Sequence, residues 1–177
     1  MTIILLTGMP GAGKEEFLKI AKRKGFDVVR MGDVVREMAD KKNISDENIG
    51  EFAHEQRKKH HQGIWAERTL EKVKDEKTVI DGIRSPAELN IFQNKTKEKV
   101  SLVAIHASED TRFERIKKRG REDAPDTRKQ FEKRDERELS WGLGKVIARA
   151  DYVIVNESTL SEFRDDVEKY LHFLKDL

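Results

Sequence analysis

The chain has 177 residues, 36% of them hydrophobic and 40% charged, with 36 Lys and Arg against 34 Asp and Glu for a net charge of +2. That length suits one well-cored domain over 1–177 rather than two independent ones. The longest apolar runs, Thr2–Thr7 and Val100–Ala107, fall far short of the roughly 20 residues a membrane span needs, so no membrane association is expected. With no basic stretch ahead of the first apolar run, no cleaved signal is expected either, and the location expected is cytoplasmic. The absence of cysteine excludes a disulfide framework, a thiolate metal site and a cysteine nucleophile. The balanced charge gives no global field to attract nucleic acid.

Five short segments rich in Val and Ile punctuate the chain: Thr2–Thr7, Asp27–Met31, Thr78–Asp81, Val100–Ala107 and Asp151–Val155. They lack clean polar alternation, as strands buried on both faces of a parallel sheet do. Helical stretches lie between them, so the pattern predicts a three-layer α/β fold with a five-stranded parallel sheet and helices on both faces.

The first strand runs into Gly8-Met9-Pro10-Gly11-Ala12-Gly13-Lys14, which fits all but the last position of the phosphate-loop pattern G-x-x-x-x-G-K-[ST]. Glycines allow several N–H groups to face one point, the following helix adds its positive end, and the lysine supplies a mobile charge. At the last position, where a Ser or Thr hydroxyl would ligate magnesium, stands Glu15, followed by Glu16. A carboxylate there is a candidate metal ligand, directly or through water, yet it also competes with phosphate for the helix dipole.

After the second strand, Gly32-Asp33-Val34-Val35-Arg36 sets an acid and an arginine three apart on one helical face. From about 33 to 74 there is room for several helices where one crossover would suffice. Within it, His54 and His61 share a face, but no carboxylate stands at ligand spacing with them, and Trp65 reads as a core anchor. The third strand ends in Asp81-Gly82-Ile83-Arg84, delivering an aspartate to the carboxyl edge of the sheet, where ligands of open parallel sheets sit. Asp81 is the natural outer-sphere magnesium ligand and Arg84 a candidate clamp on phosphate or acceptor. The alternative makes Arg36 and Arg84 surface ion-pair residues. Ser85-Pro86-Ala87-Glu88 reads as a capping box with proline at the first helical position. From Arg112 to Glu138 the chain carries eleven Lys or Arg and eight Asp or Glu, a composition expected of a solvated helical pair or a flap. Thr159-Leu160-Ser161-Glu162 repeats the capping box before a last helix in which Leu160, Phe163, Val167, Tyr170, Leu171 and Leu174 follow helical spacing.

The phosphate loop, Gly-Asp-x-x-Arg after the second strand and Asp-Gly with a nearby arginine after the third resemble the pattern of adenylate kinase and related nucleoside monophosphate kinases. The segment Ala150–Asn156 is similar to the corresponding strand of dephospho-CoA kinases, whose following loop lies near the adenine. The whole chain resembles an archaeal family of predicted ATP-binding, dephospho-CoA-kinase-like proteins. It departs from adenylate kinases in that Arg84 arrives one residue early and Ser85-Pro86 opens a helix.

The resemblance implies a P-loop kinase fold with an acceptor-binding helical insertion at about 33–74 and a lid at about 112–138. It implies ATP and Mg2+ as cofactors, the nucleotide held by Gly8 to Glu15 with Arg115 and Asn156, and magnesium near Glu15 and Asp81. An anionic acceptor such as a nucleoside monophosphate or dephospho-CoA would meet Asp33, Arg36, Arg57 and Arg84. Lys14, Asp33, Arg84 and Arg119 would serve the transfer step, and the lid, running through Gly120 and Arg121, would return by Arg134 and Arg137.

The leading expectation is therefore an ATP-dependent small-molecule phosphotransferase, monomeric or homodimeric. The alternative is a nucleotide-binding regulator or slow ATPase without acceptor transfer, motivated by Glu15 and the shifted Arg84. Nucleic-acid binding through the charged run is disfavoured by its near-balanced charge and by its having no aromatics beyond Phe113 and Phe131.

Overall fold

A computed structural model describes residues 2–74, 77–96, 98–119 and 127–174. Five strands, β1 (Thr2–Thr7), β2 (Asp27–Arg30), β3 (Thr78–Asp81), β4 (Lys99–His106) and β5 (Tyr152–Val155), form one sheet in the order β2-β3-β1-β4-β5. Every pairing is parallel. Each sequence segment expected to be a strand is one, with ends shifted by a residue: Met31 opens a helix, and β4 starts at Lys99.

Alternate residues of the central strand feed two separate cores. Ile4 and Leu6 face α1 (Lys14–Arg23) and α9 (Leu160–Phe173), packing with Phe17, Phe163 and Val167. Ile3 and Leu5 face the other way, toward α2 (Met31–Asp40), α4 (Ile64–Leu70), α5 (Pro86–Lys95) and α8 (Leu143–Ile147), where Met31, Trp65, Leu89 and Val146 are buried. This two-residue alternation is what a strand must show when both its faces are covered. Burying each such aliphatic side chain contributes about 1.5–3 kcal/mol. The expectation of two-sided burial fails at the sheet edges: Tyr152, Val153 and Val155 of β5 are exposed, because β5 pairs on one side with β4 and ends the sheet.

The long stretch after β2 folds as α2, a 3-10 turn (Asp46–Asn48), α3 (Ile49–Lys59) and α4. Trp65 is the anchor expected, fully buried with its indole N–H donating to Ala53 O at 3.1 Å. Both capping boxes read from the sequence are present, at Ser85–Glu88 and Thr159–Glu162. A third, Thr127–Gln130, starts α7 (Arg128–Ser140).

The charged run is a helical pair, α6 (Glu109–Arg119) and α7; Gly120 and Arg121 lie outside the described residues. It is not wholly solvated, contrary to its composition. Arg112 is 5% exposed and Asp135 8%, and Phe131 is buried between the helices, edge-on to Phe113. The charges of Arg112 and Asp135 can be buried because they neutralise each other.

Candidate functional site

The phosphate loop joins β1 to α1 and owes its shape to positive φ angles. Gly8 (φ +142°) lies so close to β4 that a Cβ there would stand 2.4 Å from Ile105 O, and at Gly13 (φ +117°) a Cβ would stand 2.3 Å from Asn156 Nδ2. Only glycine fits either place. The loop is held from several sides: Ala12 N donates to Met9 O at 3.2 Å, Asn156 Nδ2 to Ala12 O at 2.8 Å, and Arg112 Nη1 to Pro10 O at 3.2 Å.

Lys14 opens α1 and folds back over the loop, its Nζ donating to Gly8 O at 2.6 Å and Met9 O at 3.2 Å. Burial pushes its ammonium below the ordinary 10.5; Asp81 opposes this, and Arg84, Glu138 and Arg134 add smaller influences of their signs. Charges from β3, the β3–α5 loop and α7 are thus gathered around one lysine. Burial likewise raises the carboxyl of Asp81 above its ordinary 3.8, with Lys14, Arg30 and Arg84 opposing. Two atoms around this centre, Asp81 Oδ1 and Arg134 Nε, are buried and have no hydrogen-bond partner, as has Arg115 Nη1 on α6. Buried polar atoms are rarely left unpaired, and such groups call for a ligand or water.

Beside the loop is a cavity of about 470 Å3 lined by Gly13, Arg115, Arg119, Asn156, Leu160 and Phe163, among others. Arg115 Nη2 donates to Asn156 Oδ1 at 3.2 Å, so one amide ties α6, the phosphate loop and the end of β5 together. Arg115 and Asn156, both expected on the nucleotide, meet here. Arg119 lines the same cavity, whereas the α7 residue that influences Lys14 is Arg134. Leu160, placed by helical spacing on the core face, is instead 53% exposed at the cavity.

On the other side, three arginines converge on the half-buried indole of Trp141. The guanidinium carbons of Arg57, Arg84 and Arg137 lie 5.9, 5.5 and 5.7 Å from its ring centroid, within cation–π range. Two are held by buried acids: Arg57 Nη2 donates to Glu88 Oε1 at 3.3 Å, and Arg84 Nε lies 3.4 Å from Glu138 Oε2. Glu88 also completes the α5 capping box, its Oε2 accepting from Arg84 N at 2.9 Å and Ser85 N at 3.1 Å. Arg57 and Arg84, proposed together from sequence, do meet. Asp33 and Arg36 instead bond to each other on the exposed face of α2.

Sequence reasoning missed Trp141, Glu88, Glu138 and Arg30. Trp141 and Glu138 are three apart at the end of α7 and share a face with Arg134 and Arg137, a periodicity that was available. Arg30 carried no such signal. It bonds Glu15, its Nη2 donating to Oε1 at 2.8 Å and Oε2 at 3.0 Å.

The orphaned Asp81 oxygen fits the outer-sphere hold on magnesium that a phosphate loop implies. Both oxygens of Glu15 face Arg30, so an ion ligated there would have to share the carboxylate with this guanidinium. Among the described residues no group of three or more His, Asp or Glu is placed to hold a metal ion.

Residues 4–139 match the family described as AAA domain. A UPF0200 protein of Thermoplasma volcanium is 49% identical over 177 residues, covering 97% of this chain and 98% of its own. Among solved structures, a shikimate kinase from Bacteroides thetaiotaomicron superposes with a TM-score of 0.68 at 17% identity, with 98% of both chains covered. A gluconokinase from Sinorhizobium meliloti gives a TM-score of 0.61 at 15% identity, covering 98% of this chain and 93% of its own. The layered sheet described above is the P-loop kinase fold of these neighbours, and no helix among the described residues is long and apolar enough to cross a membrane. The chain belongs to the UPF0200 family, with an AAA domain over residues 4–139.

Proposed function

We propose that the protein is an ATP-dependent small-molecule phosphotransferase. The observation that carries this is the convergence on Lys14 of Asp81, Arg84, Arg134 and Glu138 from separate elements, with buried polar atoms left unpaired beside it. The two sides of this centre then have different tasks. The phosphate loop takes the triphosphate and the cavity of Arg115, Asn156 and Phe163 takes the base, with Arg119 at its rim. Arg57, Arg84 and Arg137 around Trp141 take an anionic acceptor, for which a nucleoside monophosphate or dephospho-CoA suits the charge.

In the transfer an acceptor oxygen bonds the γ-phosphorus while the bond to the β–γ bridging oxygen breaks, and ADP leaves with that electron pair. Where the acceptor is a hydroxyl, its proton would pass to Asp33, which would first have to leave Arg36 and turn from the exposed face of α2 to the acceptor. Lys14, Arg84 and Arg134 stabilise the charge spread over the equatorial oxygens, and catalysis is otherwise positioning.

The regulator or slow-ATPase reading draws on one observation: the Lys14 ammonium already donates to two of the loop's own carbonyls. Calorimetric titration with ATP, AMP, CMP, UMP and dephospho-CoA, followed by a phosphoryl-transfer assay on each binder, separates the two. Product with one acceptor supports the phosphotransferase. ATP binding with no acceptor bound and no product leaves the regulator, and no ATP binding refutes both.

A further inference from the structure

The position where the phosphate-loop pattern requires a hydroxyl holds an acid, and the fold supplies that acid with a partner. Arg30 is the last residue of β2, in register with Asp81 of β3, and is the residue that caps the start of α2 in extended conformation. Its side chain reaches back to α1, where Nη2 contacts both oxygens of Glu15, and the two side chains are 33% and 40% exposed. Arg30, Glu15 and Lys14 all act electrostatically on Asp81, whose Oδ1 is unpaired. With Arg84, which also acts on Asp81, three cations and two acids share one corner at the carboxyl ends of β2 and β3.

In the pattern with a hydroxyl, lysine and aspartate already balance, and an entering divalent ion supplies the excess positive charge that phosphates need. Here the acid at the hydroxyl position, Glu15, is matched by Arg30, and Arg84 adds a positive charge beyond the two pairs. A guanidinium presents five N–H donors in a fixed fork; one nitrogen is taken by Glu15, which leaves donors on the others for a phosphate oxygen. An ion ligated by Glu15 would have to stand beside the Arg30 guanidinium, against its charge.

We propose that Arg30 is a resident cation serving in place of the divalent ion, so that this loop accepts magnesium-free nucleoside triphosphate, with Glu15 as the positioning residue that holds the guanidinium there. The inference rests on the reading of the loop as a nucleotide site. It differs from that reading in saying which form of the nucleotide is taken.

Calorimetric titration of the full chain with ATP, once in excess EDTA and once in excess magnesium, tests it. The wild type is expected to bind ATP with affinities that agree within about threefold between the two conditions. Arg30→Gln is expected to lose about tenfold or more of the EDTA affinity and to regain most of it with magnesium. Glu15→Gln, which keeps the cation and removes its anchor, is expected to retain binding in EDTA but to lose the agreement between conditions by less than Arg30→Gln does. Circular dichroism checks that each variant is folded; if Arg30→Gln is not, Arg30→Lys, which keeps the charge without the fork, is expected to keep most of the EDTA affinity. Wild-type binding tenfold or more tighter with magnesium overturns the proposal, as does an Arg30→Gln variant with the wild-type ratio or an Arg30→Lys variant with no EDTA binding. Wild type that binds no ATP in either condition refutes the nucleotide reading itself, and this proposal with it.

Discussion

Arg112 of α6 grips Asp135 of α7 through two nitrogens, at 3.0 and 2.5 Å, and the same guanidinium donates to Pro10 O of the phosphate loop and to Ala107 O after β4. One buried side chain therefore fixes α6 and α7 to the loop. Removing one partner of a buried pair leaves the other charge uncompensated. Asp135→Asn is expected to cost about 3–5 kcal/mol in urea denaturation and to weaken ATP binding, since the Pro10 carbonyl loses a well-held donor.

The sheet, its two covered faces and the phosphate loop were all legible because each rests on local rules: apolar strands, capping boxes, and a glycine pattern tied to positive φ. Arg57 and Arg84 were legible as cations that belong together, and the structure brings both to Trp141. What escaped are residues whose role depends on tertiary partners. Arg112 and Asp135 looked like members of a solvated run, and only the meeting of α6 and α7 turns them into a buried pair. Trp141 had only a helical period shared with charged residues to mark it, and Arg30 lay unremarked inside an expected strand segment. Leu160 fitted the helical period, yet a period cannot tell core from cavity wall.

Lys14→Ala removes the charge at the loop's centre. A hydrogen bond to a charged group contributes about 1.5–3 kcal/mol, so ATP affinity measured by calorimetry is expected to fall by roughly 10- to 150-fold. The pH profile supplies a second check. Burial, opposed by Asp81, holds the native ammonium below 10.5. Below its native pKa both folded and unfolded chains carry the proton, and the native state bears the full cost of a buried charge. As pH rises from there toward 10.5, the unfolded chain binds more protons than the native one, so this cost is relieved and the contribution to stability rises with pH. ATP affinity runs the opposite way, falling as the native amine loses its proton. Both slopes should vanish in Lys14→Ala.

Asp81→Asn is expected to separate stability from binding. Burial raises the Asp81 carboxyl, with Lys14 the chief opposing charge. Between 3.8 and its native pKa the folded chain holds the extra proton, so this group favours folding at low pH and loses that advantage as pH rises. The neutral amide should therefore raise stability at neutral pH by about 0.5–2 kcal/mol, by less near pH 4, and weaken ATP binding. Thermal denaturation at the two pH values checks the first part. An Asp81→Asn protein no more stable than the wild type at neutral pH would contradict it.

Trp65 and Trp141 are the two tryptophans of the chain, and only Trp141 borders the proposed acceptor side. In a Trp65→Phe background the emission of Trp141 should shift on titration with the anionic acceptor, as its arginines turn from the indole to the ligand. Arg137→Ala should reduce that response and raise the acceptor KM by about tenfold, consistent with one charged hydrogen bond. Unchanged KM and emission would remove Arg137 from the site.

Glu88 is 1% exposed and divides its two oxygens between two duties. Oε2 closes the first turn of α5, and Oε1 holds Arg57. An ordinary capping acid can be exchanged for a glutamine at small cost, and an ordinary ion-pair acid can drift across a surface. Here neither exchange is free, because a change made to alter the acceptor also loosens a helix packed in the core. If this face takes the proposed acceptor, descendants of the chain that change it would do so through Arg84, Arg137 and Trp141, while Arg57 and Glu88 stay together as one inherited unit.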